Sequence, residues 1–346
     1  MEDTTELRMP EYISPSGLKC FEKEIEEYFR RYLSPYRTPR MAQTMPMSVG
    51  SAFDAFAKSF IHYRIFGHYG PDDKYDLNKI FEDQVDEHLY KWAWDAGEYV
   101  FNMYKDCGAL SDMMLELNKA SSEPQFEFSI KGTIETAVGD VPLLGKPDIF
   151  FINAEGARVI WDWKVNGFCG RSSTSPNKGY SMVRDAWTNE IKHSRNDRMP
   201  HKDCHIKEHC GIKINHAANM EDLNTMWADQ LAIYGWLLGE PVGSENLIVG
   251  IDQIVSKGTE ITPPIKGRFP WLRIASFRNI VGADYQYSLK DRLEYVWGCI
   301  QTGHIFTDLS KEDNDFKIKQ LTAETKAMSS TDPTTQFINR ISRTGY

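Results

Sequence analysis

Apolar residues along the chain recur at two spacings, and the switch between them marks the predicted elements. Leu18, Phe21, Ile25, Phe29 and Leu33 predict an amphipathic helix over 16–34, broken by Pro35 and Pro39. A second helix is predicted over 48–66. Residues 77–118 read as helical and rich in Trp and Tyr, as two helices parted near Gly108. Strands are predicted at 125–131, 143–152, 158–166, 246–255 and 270–279. Leu223, Trp227, Leu231, Tyr234 and Leu238 form one stripe of a helix over 221–239 with Gly239 as its stop, and another helix follows over 286–302. Residues 1–12 read as a flexible leader. Residues 311–346 read as a polar C-terminal tail, with Ser-Ser-Thr-Asp-Pro-Thr-Thr at 329–335, either mobile or a partner-binding end. No internal repeat is visible. This order predicts an α/β protein, with a central mixed sheet flanked by helices and an N-terminal helical region over 13–120.

One hairpin concentrates the chemistry. Residues 149–152 (IFFI) and 158–165 (RVIWDWKV) favour strands, and Asn153-Ala154-Glu155-Gly156 between them is turn chemistry. Folding on that turn sets Asp148 opposite Asp162, where facing Cβ atoms lie about 5 Å apart. Two carboxylates at that range can grip one divalent cation through oxygen. Strand period puts Lys164 on the face of Asp162, and Val159, Trp161, Trp163 and Val165 on the other. A metal clamp beside an ammonium suits phosphodiester hydrolysis, because the metal lowers the pKa of a bound water and the lysine orients it or offsets developing charge. The bland alternative is a surface salt bridge. An unpaired charge inside an apolar run is costly, which counts against it.

Gly145-Lys146-Pro147-Asp148 followed by Asp162-Trp163-Lys164 resembles the motif of the PD-(D/E)XK nuclease superfamily. Three further matches point to its RecB-like branch, which includes CRISPR-adaptation nucleases and phage exonucleases. Gln230-Leu231-Ala232-Ile233-Tyr234 is similar to the branch's Q-x-x-x-Y helix, and the two polar residues stand one turn apart. Gly50-Ser51-Ala52-Phe53-Asp54 is similar to its G-x-x-x-H helix, with Asp54 in the place of the histidine ligand. The ends also match: Ile13-Ser14-Pro15-Ser16-Gly17-Leu18, and a closing segment from Ile300 to Phe306. The resemblance implies a restriction-endonuclease-like core over 121–310. It implies Mg²⁺ or Mn²⁺ held by Asp148, Asp162, Asp54 and the backbone carbonyl of Trp163. It also implies Lys164 as the group that positions or deprotonates water, with Gln230 and Tyr234 steadying it. Alternatives stay open at three places. Tyr234 has a second reading as core with Gln230 at its edge, Asp54 as a first-turn helix carboxylate, and Glu127, in an alternating strand, as either a site residue or a solvent-facing one.

Composition adjusts this picture. The 346 residues carry a formal net charge of −9, which taken alone argues against a polyanionic partner. Residues 164–216, however, hold ten Lys/Arg and five Asp/Glu, so that stretch is +5 and the rest −14. A basic insertion at about 167–218, next to the metal hairpin, can attract phosphates, with Arg171, Ser172, Ser173, Lys192, Arg195 and Arg198 as candidate DNA contacts. A solvated basic loop is the other reading. His201, Cys204, His205, His209, Cys210 and His216 lie in the same insertion. They suggest either a zinc site, from the one-turn spacing of His205 and His209, or a His-rich loop with incidental cysteines. Six scattered cysteines, none after residue 300, depart from the branch members that hold an iron–sulfur cluster, so no cluster is expected. They also suit a reducing cytoplasm, the host's if the chain is phage-encoded. No run of eighteen apolar residues predicts a membrane span.

The expected function is a metal-dependent deoxyribonuclease. An exonuclease is favoured by the habit of the branch, in recombination, repair or phage DNA processing, with DNA and other recombination or replication proteins as partners. The alternatives are a non-catalytic nucleic-acid-binding or interaction protein that keeps the fold, and a site-specific endonuclease of the same superfamily.

Overall fold

The computed structural model describes residues 7–39, 42–67, 74–169, 182–184, 191–193, 206–215, 218–257 and 271–329. The N-terminal region comprises α1 (Pro15–Lys23), α2 (Ile25–Tyr28), α3 (Met45–Phe66), α4 (Leu77–Gln84), α5 (Tyr90–Asp106) and α6 (Ala109–Asn118). Strands follow: β1 (Gln125–Phe126), β2 (Ile130–Thr136), β3 (Gly139–Gly145), β4 (Ile149–Ile152), β5 (Arg158–Cys169), β6 (Met182–Arg184), β7 (Ile191–His193), β8 (Ile206–His209) and β9 (Ile212–Asn215). Then come α7 (Met220–Leu223), α8 (Thr225–Leu237), β10 (Ile248–Lys257), β11 (Trp271–Asn279), α9 (Ala283–Thr302) and α10 (Lys311–Ser329). The central sheet runs in the order β1-β4-β5-β10-β11, and β6 and β7 continue it on the β11 side. It is mixed: β5 and β10 are parallel and the other pairs antiparallel. The parallel pair follows from the intervening α7 and α8, since parallel strands need a crossover of a dozen residues or more.

The period-2 pattern of β5 sorts its side chains onto two cores. Val159, Trp161 and Trp163 pack with α3, α5 and α6, while Ile160 packs with α8 and α9. Asp162, two residues beyond Ile160, therefore faces α8. On the opposite face, α3 and α5 cross almost backbone to backbone. A Cβ added to Gly97 would stand 2.4 Å from that of Ala52, so only glycine permits a crossing this close.

Several expectations are revised. The strand predicted over 125–131 is split, with β1 in the central sheet and β2 in a separate hairpin. The strand predicted over 143–152 is two strands in different sheets. β3 pairs with β2 in a separate hairpin, and β4 belongs to the central sheet. Pro147 supplies the reason, because it offers no N–H to a ladder. The helix predicted over 16–34 breaks at Glu24, whose φ of −143° and ψ of 57° are not helical, and ends in a widened turn, Phe29–Leu33. Its apolar stripe stays packed on the core through the break, with Ile25 only partly buried. Finally, the predicted polar tail is helical over Lys311–Ser329. Ile318 and Leu321 are buried in the core with α9, and the buried Asn314 side chain accepts from the Phe306 N–H and donates to the Gly303 carbonyl. Such a narrow stripe on an otherwise charged helix leaves little hydrophobic signal. The leader is tied down from Arg8, whose N–H donates to the Leu33 carbonyl at 2.8 Å.

Leu321→Ala is expected to lower the unfolding free energy by about 2–4 kcal/mol, the usual cost of a fully buried leucine. Urea denaturation checks this. A loss under about 0.5 kcal/mol would place α10 off the core.

Candidate active site

The β4–β5 ladder pairs Ile149 with Trp161, so the next position outward on each strand brings Asp148 to Asp162. The junction is fixed by a hydrogen bond from the Trp163 backbone N–H to Asp148 Oδ2 at 2.9 Å. The carbonyl of Asp148 accepts from the Glu127 N–H, which draws the end of β1 to the same point. Glu127 has a φ of 37°, uncommon for a residue other than glycine. That turn carries its carboxylate out of the strand pattern and into the cleft.

Asp162 and Lys164 share the α8 face of β5, as strand period requires, and form an ion pair. Gln230 reaches both from α8. Its Nε2 donates to Asp162 Oδ1 at 2.9 Å, and its Oε1 accepts from Lys164 Nζ at 2.8 Å. Tyr234, one turn on, has its hydroxyl 3.0 Å from the same Nε2. Its ring passes close over Gly145, where an added Cβ would stand 2.7 Å from the tyrosine ring. One amide thus sets the carboxylate, the ammonium and the phenol relative to one another. Helix α8 is placed for this by Asn224, whose side chain caps it by accepting from the N–H groups of Met226 and Trp227.

Asp54 comes from α3 and sits in its third turn, well past Met45. That removes the first-turn reading. Its Oδ2 accepts from Lys58, one helical turn further on, and Lys58 also donates to Glu127 Oε2 at 2.7 Å. Glu127 in turn pairs with Lys146 and accepts from Gln84 Nε2 at 3.1 Å. These groups line a cleft of about 510 Å³ together with Trp163 and Lys164. Behind it, Trp163 Nε1 donates to Tyr104 Oη at 3.4 Å, and the Tyr104 hydroxyl donates to the buried Asp252. Asp252 is paired with Arg278 at 2.9 Å, and that guanidinium lies over the Trp161 ring. This network fixes the tryptophan that separates Asp162 from Lys164.

Crowding shifts the acids. Burial pushes Asp162 up to about 7, with the Asp148 charge adding to it and Lys164 opposing. Burial likewise pushes Asp54 up to about 7, against Lys58 and reinforced by Asp148 and Glu127. Burial works to lower Lys58, but the charges of Asp54, Asp148 and Glu127 outweigh it and hold the ammonium above the ordinary lysine range. Burial works to raise Glu127, and Lys58 and Lys146 bring it net down. Burial and the two aspartates raise Tyr234, which keeps its phenol neutral.

Asp148, Asp162, Lys164, Gln230, Tyr234 and Asp54 therefore meet at one place, with Trp163 among them. Lys58 escaped the sequence reading, although its i,i+4 spacing from Asp54 was a visible signal. Glu127, left open from the sequence, belongs to the cluster. Arg171, Ser172, Ser173, Arg195 and Arg198 lie outside the described residues, and of Lys192 only the backbone, in β7, is described. Of the suggested zinc ligands, His201, Cys204, His205 and His216 lie outside the described residues. His209 Nε2 is 2.8 Å from the Glu245 carbonyl, and Cys210 is a free thiol.

Among the described residues no three His, Cys, Asp or Glu side chains are arranged as a ready metal cage, since the ammonium groups of Lys58 and Lys164 stand against the carboxylates. The residues nonetheless fit a hard cation. Asp162 Oδ2 is buried with no well-aligned hydrogen-bond donor and faces the Lys164 ammonium. Asp148, half-buried, has its Oδ1 3.9 Å from Lys58 Nζ. Carboxylate oxygens gathered in this way are what Mg²⁺ or Mn²⁺ takes up.

No protein-family model and no curated protein matches the chain. Among solved structures, the crystal structure of SSO0001 aligns at 12% identity, covering 85% of this chain and 95% of that one, with a TM-score of 0.24. A likeness at that score carries no argument about fold or function. Among the described residues no helix is long and apolar enough to cross a membrane.

The raised acids fix the sign of a pH dependence. A carboxyl whose folded pKa exceeds its unfolded value, about 4, holds its proton more tightly when folded, so its contribution is full below pH 4 and lost as pH rises through 7. Asp162→Asn, which stays neutral, is therefore expected to gain on the wild type by more than about 1 kcal/mol between pH 4 and pH 8 in EDTA, one pKa unit being worth about 1.4 kcal/mol. Urea unfolding across that range checks it. A constant difference would mean that Asp162 ionises normally.

Proposed function

We propose that the protein is a Mg²⁺- or Mn²⁺-dependent deoxyribonuclease, acting as an exonuclease. The observation that supports this most is the single constellation of Asp148, Asp162, Lys164 and Gln230, in which two carboxylates and an ammonium converge at a cleft through one hairpin and one bridging amide. Asp148 and Asp162 would hold the metal, with the carboxylate of Asp54 and the carbonyl of Trp163 as further ligands. The metal, when bound, supplies charge stabilisation and a water of lowered pKa.

The chain's own residues do the rest. Lys164 moves off Asp162 toward the scissile phosphate, held in line by Gln230, and there orients the attacking water and offsets the charge developing on the phosphate. Gln230, anchored by Tyr234, holds Asp162 in place as Lys164 leaves it, so it acts as a positioning residue without touching the reacting atoms. The stretch over 167–218 carries an excess of Lys and Arg, which suits contact with phosphates. The preference for exonuclease over endonuclease rests on the sequence resemblance.

One observation favours a second reading, a non-catalytic nucleic-acid-binding protein. Lysines already pair with the carboxylates of Asp54 and Asp162. A time course on end-labelled linear and closed circular DNA, with EDTA, Mg²⁺ or Mn²⁺, separates the cases. The exonuclease reading expects metal-dependent loss of linear DNA only, and a fall of more than about 100-fold for Asp162→Asn and Lys164→Met with DNA binding retained. Cleavage of circular DNA would make it an endonuclease. Absence of cleavage with intact binding would establish the second reading.

A further inference from the structure

The chemistry proposed above gives Lys58 no step, yet among the described residues it is the one lysine or arginine that is fully buried. An ammonium is costly to bury unless carboxylates surround it closely. Lys58 Nζ has Asp54 Oδ2 at 2.5 Å, Glu127 Oε2 at 2.7 Å and Asp148 Oδ1 at 3.9 Å. Three carboxylates from three separate segments turned toward one point are the surroundings a hard dication seeks, and here that point holds a side chain.

We propose that Lys58 is a resident cation, filling the place of a second metal ion, so that the cleft takes a single divalent ion at Asp148 and Asp162. Lys58 also ties one oxygen of Asp54, which turns only the other toward that ion. Glu127 then serves Lys58 and Lys146 rather than the metal. This rests on the metal-dependent reading above, but it is read out without DNA or turnover. Lys58 acts here as a positioning residue, through the carboxylates it holds.

The test is Mn²⁺ titration of the full chain, with free Mn²⁺ counted by electron paramagnetic resonance. The wild type is expected to bind one ion and Lys58→Met two, the second entering the vacated point. Two ions in the wild type, or one in both proteins, would overturn the proposal and leave the metal-dependent reading standing. No ion in the wild type with one in Lys58→Met would overturn the single-ion site and remove that reading with it. No ion in either protein removes both. If Lys58→Met does not fold, Glu127→Gln decides. Its Mn²⁺ dissociation constant is expected within about threefold of wild type, whereas weakening of tenfold or more, the usual effect of losing support at a metal, would make Glu127 part of the ion's shell and overturn the proposal.

Discussion

Carboxylates set side by side in a half-closed cleft repel one another and lose water, and in this protein lysines spaced among them make the arrangement tenable. Asp54 and Asp162, the two most strongly affected, are both pushed up to about 7 even with Lys58 and Lys164 against them. Without those ammonium groups the acids would take up protons at still higher pH. The cleft is therefore built under electrostatic tension, and much of the surrounding structure is explained by holding it. The Trp163 N–H pins Asp148, Gln230 bridges Asp162 to Lys164, and the turn at Glu127 swings a fourth carboxylate in to meet Lys58 and Lys146.

The scaffold is stiff where this tension falls. Strand β5 lies between two cores, and its tryptophans pack on the α3–α5 side while its charged residues face α8. Asp252, Tyr104 and Arg278 brace Trp161 and Trp163 from the neighbouring strands and from α5. A second buried charge pair behind the first is expensive on its own terms. Its contacts are with the very tryptophans that flank Asp162, so it restricts the rotation of the strand end that presents the site.

The hairpin was legible in the sequence because its signals are local. Turn residues at 153–156 and strand period fix the relation of Asp148, Asp162 and Lys164 without reference to the rest of the fold. Gln230 and Tyr234 were legible as neighbours on a helix, and only the resemblance placed them beside Lys164. Lys58 was not found, because the meaning of a lysine one turn beyond an aspartate depends on what packs over it, here Glu127 from a distant segment. The strand break at Pro147 shows in the sequence only as one proline within an apolar run. Helix α10 escaped because two apolar residues and a threonine suffice to dock it once α9 and the N-terminal segment provide the groove.

The proposed chemistry requires a hard cation at this cluster. Anomalous diffraction from crystals soaked in Mn²⁺, collected at the manganese edge, tests that position directly. The expected result is a peak beside Asp148 and Asp162, with Lys164 swung off Asp162. A peak elsewhere, or ordered density with Lys164 still paired to Asp162 and no peak between the two aspartates, would contradict it.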